Sequence, residues 1–162
     1  MNAINTIDAL KPDTLIANPT GTPVVSSVKV AAEASLVWQV VGDFGGFTKF
    51  IPALKSIEVI GAGVGSIRHK RFAEGGLEVV EQLNSRNDKA FSMTWTTIYN
   101  NLGVGNLWAS MTVVPADDHT SIATWTIVAE PGVGNAATPA EFQAFLQGFA
   151  DDAMNNVQQL FG

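Results

Sequence analysis

Apolar side chains recur along the chain in two rhythms, one of two residues and one of three to four. Val24, Val25, Ser27, Val28 and Val30 form a β-branched-rich run that predicts a first strand. Ala34, Val37, Trp38 and Val41 follow at helical spacing and predict a short helix closed by Gly45-Gly46. Phe47, Phe50 and Ile51 predict a second short helix or turn, stopped by Pro52. From Leu54 to Glu130 the pattern changes to short strands. The breaks are Gly61-Ala62-Gly63, Glu74-Gly75-Gly76, Arg86-Asn87-Asp88, Asn100 to Gly105, and Pro115 to His119. Breaks at intervals of about ten residues predict an antiparallel meander of about six strands. After a Gly/Pro/Asn loop, Thr138-Pro139-Ala140-Glu141 supplies an N-cap, a proline at the first helical position and the glutamate of a capping box. Phe142, Phe145, Leu146, Phe149, Val157 and Leu160 then recur at helical spacing. They predict a C-terminal helix of about 22 residues, roughly 33 Å long.

This order gives an α+β class: strand, two short helices, a run of antiparallel strands and one long amphipathic helix. A curved sheet with that helix across its concave side encloses a space between them. Residues 1–22 hold Pro12, Pro19 and Gly21 without a sustained period and read as an N-terminal extension, leaving 23–162 as one domain.

Composition narrows the picture. With 162 residues, 46% hydrophobic and only 15% charged, the chain has ample apolar side chain for a core, and some to spare for lining a space. The net charge of −6 argues against nucleic-acid binding, which needs a basic face to displace phosphate counterions. The absence of cysteine removes disulfides, thiolate nucleophiles and zinc–thiolate sites. Neither a basic leader with an apolar run nor an apolar stretch of roughly 20 residues is visible, so a cytoplasmic protein without membrane insertion is expected.

Strand parity singles out one polar pair. Leu77, Val79, Glu81 and Leu83 share a face, which sets a carboxylate in an otherwise apolar row. In the preceding strand Ser66, Arg68, Lys70 and Phe72 share a face, and a tight turn at Glu74-Gly75-Gly76 brings Arg68 beside Glu81. An Arg–Glu pair in an apolar pocket can orient a carbonyl and move a proton; the same pair can also be a structural ion pair. Lys70 shares parity with Arg68 nearer the strand end and reads as a solvated rim lysine or as a contact for an anionic group. Asp43 reads as a helix-end cap or a residue of the pocket mouth; the rim and the cap are the expected readings. Among the aromatics, Phe91, Met93, Trp95 and Tyr99 share one strand face. Trp108 lies with Ser110, Trp125 lies with Ile127, and Phe142, Phe145 and Phe149 face them from the helix. Most are core. Trp95, Tyr99, Trp108, Trp125, Phe145 and Phe149 are the candidates for contact with a substrate, Tyr99 as a hydroxyl donor. His69 has the parity opposite to Arg68, and His119 sits in a turn with Asp117 and Asp118. No metal-ligand spacing, nucleophile elbow or phosphate loop is present, and no cofactor is expected.

Val37-Trp38-Gln39-Val40-Val41-Gly42-Asp43-Phe44, Phe50-Ile51-Pro52, Gly63-Val64-Gly65-Ser66-Ile67-Arg68, Glu81-Gln82-Leu83 and Trp125, in this order and spacing, resemble the polyketide cyclase/dehydrase family of the START-like (SRPBCC) superfamily. The resemblance covers about residues 24–162. It implies the helix-grip fold and a hydrophobic pocket between sheet and long helix. It also places Arg68 and Glu81 at positions that line the pocket and do acid–base work in some relatives. Trp108 stands where many relatives carry a tyrosine, which argues against a tyrosine-dependent mechanism. The functions expected on this scaffold are a cofactor-independent cyclase, dehydratase or isomerase acting on a small hydrophobic carbonyl compound through Arg68 and Glu81, or a non-catalytic carrier of a lipid or polyketide-like ligand.

Overall fold

The computed structural model of the protein describes residues 19–162. The predicted N-terminal extension, 1–22, lies mostly outside the described residues.

Seven strands form one antiparallel sheet: β1 (Val24–Val30), β2 (Leu54–Ile60), β3 (Ile67–Phe72), β4 (Glu78–Asn87), β5 (Ser92–Asn100), β6 (Val104–Pro115) and β7 (Ser121–Pro131). Helix α1 (Ala34–Val41) and a 3-10 turn (Phe47–Lys49) lie between β1 and β2, and helix α2 (Pro139–Leu160) ends the chain. The order across the sheet is β1-β7-β6-β5-β4-β3-β2, so β2 to β7 are a simple meander and β1 closes on β7. This is the α+β order that the hydrophobic rhythm predicts, in the helix-grip arrangement that the family resemblance implies. The second predicted helix is the single 3-10 turn.

Helix α2 begins where its capping signals stand. The Thr138 hydroxyl accepts from Glu141 N–H at 3.1 Å and the Glu141 carboxylate accepts from Thr138 N–H at 3.1 Å, with Pro139 in the first turn. Phe142, Leu146, Ala150, Ala153, Met154 and Val157 form its buried stripe at three- and four-residue spacing. The polar side reaches the edge strand. Gln147 and Gln158 donate to the backbone carbonyls of Val25 and Lys29 at 3.0 and 2.9 Å, and Gln143 donates to that of Thr22 at 2.9 Å.

Registers decide which side chains meet. Gly75 and Gly76 take φ of +73° and +62°, left-handed values that L side chains resist, and make the tight turn between β3 and β4. The resulting register sets Arg68 directly opposite Glu81. Between β4 and β5 the pairing slips twice: Glu81 faces Thr97 but Val80 faces Tyr99, which leaves Ile98 as an extra residue in β5. Phe91 is not a strand residue; it takes φ of +54° in the turn before β5 and packs against Trp38, ring centroids 6.1 Å apart.

Candidate active site

The concave face of the sheet and helix α2 enclose a cavity of about 240 Å³, enough for an organic molecule and not merely a water or two. Phe72, Leu77, Val79 and Leu107 contribute apolar wall from the sheet, and Phe145, Leu146 and Phe149 close it from the helix. Trp95 and Trp125 form its floor, with ring centroids 6.2 Å apart, and Phe149 packs edge-on against Trp125 at 5.8 Å. The only charged lining residues among those described are Lys70 and Glu81.

Glu81 is the centre of a buried polar cluster. Its Oε1 accepts from Arg68 Nε at 2.8 Å and lies 2.9 Å from Lys70 Nζ, and its Oε2 accepts from the Thr97 hydroxyl at 3.3 Å. Burial by itself raises the Glu81 pKa, but the adjacent charges of Lys70 and Arg68 and their hydrogen bonds outweigh it and hold the carboxyl down at about 2. Glu81 is therefore a carboxylate at neutral pH. Desolvation pulls the Lys70 ammonium below the ordinary lysine value; Glu81 opposes the shift and Arg68 adds to it. The Arg68 guanidinium is shifted down by burial as well, with Glu81 acting against the shift.

The structure corrects several sequence expectations. Arg68 is paired with Glu81 as predicted but is not a cavity wall. It is fully buried, with its guanidinium carbon 4.1 Å from the ring centroids of both Phe44 and Phe47 and 4.8 Å from that of Trp95, while Nη1 donates to Phe44 O at 2.8 Å. Lys70, expected at a solvated rim, is buried and lines the cavity: it shares the inward face of β3 with Arg68 and Phe72, and the Phe72 ring meets Phe149 of α2 with centroids 6.4 Å apart. Tyr99 is 52% exposed and away from the cavity; the extra residue at Ile98 reverses the parity of β5, so Asn100 lines the cavity instead. Trp108 is buried but does not line it. Its register partners are Thr96 and Val128, whereas its neighbours Leu107 and Ala109 face inward.

Trp95, Trp125, Phe145, Phe149 and Glu81 stand in the wall as predicted. The C-cap of α1 is Gly42 and not Asp43; Asp43 stands in the loop beyond it, its carboxylate accepting from Gly45 N–H at 3.3 Å. His69 faces outward against Glu78 at 3.2 Å, and Asp117 accepts from the backbone N–H groups of His119 and Thr120. Among the described residues no cluster of three metal-ligating side chains occurs, and no helix is long and apolar enough to cross a membrane.

Sequence reasoning weighs Lys70 as an anion contact but prefers the rim, and it misses Thr97. The signal for Lys70 was present, since it shares parity with Arg68.

Solved structures share this architecture. XoxI from Bacillus cereus superposes with a TM-score of 0.78 at 22% identity, covering 87% of this chain and 96% of the other. A solution structure from Thermobifida fusca gives 0.74 at 26% identity, covering 86% and 93%. The Zhui aromatase/cyclase from Streptomyces sp. R1128 gives 0.73 at 18% identity, covering 86% and 92%. No curated protein matches the chain. Residues 22–162 match the family described as "Polyketide cyclase / dehydrase and lipid transport", and with the grip of sheet on helix and the charged cluster in its cavity, the chain belongs to that family.

Proposed function

We propose that this chain is a cofactor-independent cyclase or dehydratase acting on a small hydrophobic carbonyl compound held between the sheet and α2. The observation that carries this reading is the Lys70–Glu81 pair, 2.9 Å apart, in the wall of an otherwise apolar cavity. Glu81 takes a proton from the carbon beside the carbonyl, and the electron pair passes to the carbonyl oxygen. Lys70 donates a hydrogen bond to that oxygen, where negative charge builds in the transition state. The enolate then closes on a second carbonyl, whose oxygen takes the proton that Glu81 returns, or expels a hydroxyl group, which leaves as water with that proton. The apolar wall excludes water and strengthens the field at the oxygen. Arg68 touches Glu81 and not the cavity, so its place is that of a positioning residue.

A specific observation favours a carrier as the second reading. Both Glu81 oxygens already accept hydrogen bonds, from Arg68, Lys70 and Thr97, which weakens the carboxylate as a base. Deuterium exchange separates the two readings. Proton NMR of 2-acetylnaphthalene in D₂O should show its methyl signal fading faster with wild type than with Glu81→Gln. Equal rates, with the ketone bound in both cases, would leave a carrier. Native mass spectrometry of protein purified from its source would then identify the occupant.

A further inference from the structure

The buried cluster does not balance its charge. Arg68 and Lys70 bring two positive charges against the single negative charge of Glu81, and among the described residues neither cation has another carboxylate within salt-bridge distance. An excess charge in an apolar interior is costly unless something of opposite sign offsets it.

The hydrogen-bond inventory of the wall points the same way. The Lys70 ammonium has three hydrogens, and the protein offers it Glu81. Trp95 and Trp125 line the cavity through their ring carbons; their indole N–H groups are buried away from it and offer it no donor. The polar atoms of Asn100 are committed elsewhere: its amide nitrogen donates to Val104 O at 2.8 Å, and its oxygen accepts from the N–H groups of Leu102 and Val104. The Thr97 hydroxyl donates to Glu81. What remains at the wall is the Lys70 ammonium, with more hydrogens than its one carboxylate partner uses, beside an apolar space.

We infer that the ligand of this cavity is a monoanion, an apolar body ending in one negatively charged oxygen group such as a carboxylate, phenolate or stabilised enolate, with that group seated at Lys70. The inference rests on the reading of the cavity as a ligand site and adds the sign of the ligand's charge. Lys70 supplies the counter-charge while Arg68, enclosed by three rings, keeps Glu81 from neutralising it alone.

Three probes with one aromatic body test it by isothermal titration calorimetry on the full chain: 2-naphthoate, 2-acetylnaphthalene and 2-naphthylmethylammonium. The carboxylate should bind at least about tenfold more tightly than the neutral ketone, with the ammonium weakest. In Lys70→Met, which removes the excess charge at nearly constant length, the ratio of carboxylate to ketone should fall to about threefold or less. Equal affinity for carboxylate and ketone in wild type would overturn the inference, because Lys70 would then rest as a neutral amine; the cavity reading would survive. An ordering unchanged in Lys70→Met would overturn it too, by placing the anion elsewhere. Failure of all three probes would remove the proposed function along with it. The wild-type series needs no variant, so the inference stays testable even if Lys70→Met does not fold.

Discussion

Lys70 and Arg68 converge on the same atom: the Nζ of one lies 2.9 Å, and the Nε of the other 2.8 Å, from Glu81 Oε1. The two cations repel each other, and the carboxylate between them is what makes their burial tolerable. Removing different members of the trio therefore has unequal consequences.

Glu81→Ala strands two buried cations and should destabilise the fold by about 3 kcal/mol or more. Lys70→Met leaves a balanced Arg68–Glu81 pair and should cost about 1 kcal/mol or less. Urea unfolding of the two variants checks this directly. Equal losses would mean that Lys70 contributes nothing to the repulsion.

The Glu81 carboxyl sets an acid limb of stability. Its folded pKa of about 2 lies below its ordinary 4.5. A depressed carboxylate contributes stability that is complete above about 4.5 and lost as pH falls towards 2, a contribution on the order of 3 kcal/mol. Urea midpoints between pH 5 and 2 should fall more steeply for wild type than for Glu81→Gln. Parallel curves would show that Glu81 titrates normally.

Phe145 is 55% exposed and yet lines the cavity, so it acts more on occupancy than on folding. Phe145→Ala should leave the melting temperature within about 2 °C of wild type. The same change should weaken 2-naphthoate about fivefold, the equivalent of roughly 1 kcal/mol of apolar contact. Calorimetry alongside thermal melts measures both.

Thr138 tests the start of the gripping helix. Thr138→Ala removes the hydroxyl that accepts from Glu141 N–H and should cost about 1 kcal/mol, or about 2–4 °C in melting temperature. Thr138→Ser, which keeps the oxygen, should recover most of it.

The sequence reveals local pattern well and absolute facing poorly. The capping signals at Thr138 to Glu141 and the glycines at 75 and 76 act through their own backbone, so α2 and the Arg68–Glu81 register are readable from the chain alone. Tyr99 is misplaced because one extra residue at Ile98 reverses parity, and no composition cue marks that bulge. Trp108 shows a different limit. Alternation in β6 separates Trp108 from Leu107 and Ala109 but does not say which set faces the helix, and bulk is a poor guide. Lys70 is misplaced because burial of a lysine depends on long-range packing, here the Glu81 carboxylate of the next strand and a cavity wall shared with residues far along the chain.

The glutamine contacts of α2 bear on how the molecule meets its neighbours. A terminal strand with bare carbonyls invites another chain to extend the sheet. On β1 the Val25 and Lys29 carbonyls are already taken by Gln147 and Gln158, so that margin is shut by the same helix that encloses the cavity. Strand-to-strand association between molecules is thereby directed to the opposite margin, at β2, where Lys55 and Glu58 stand exposed as charged obstacles to it.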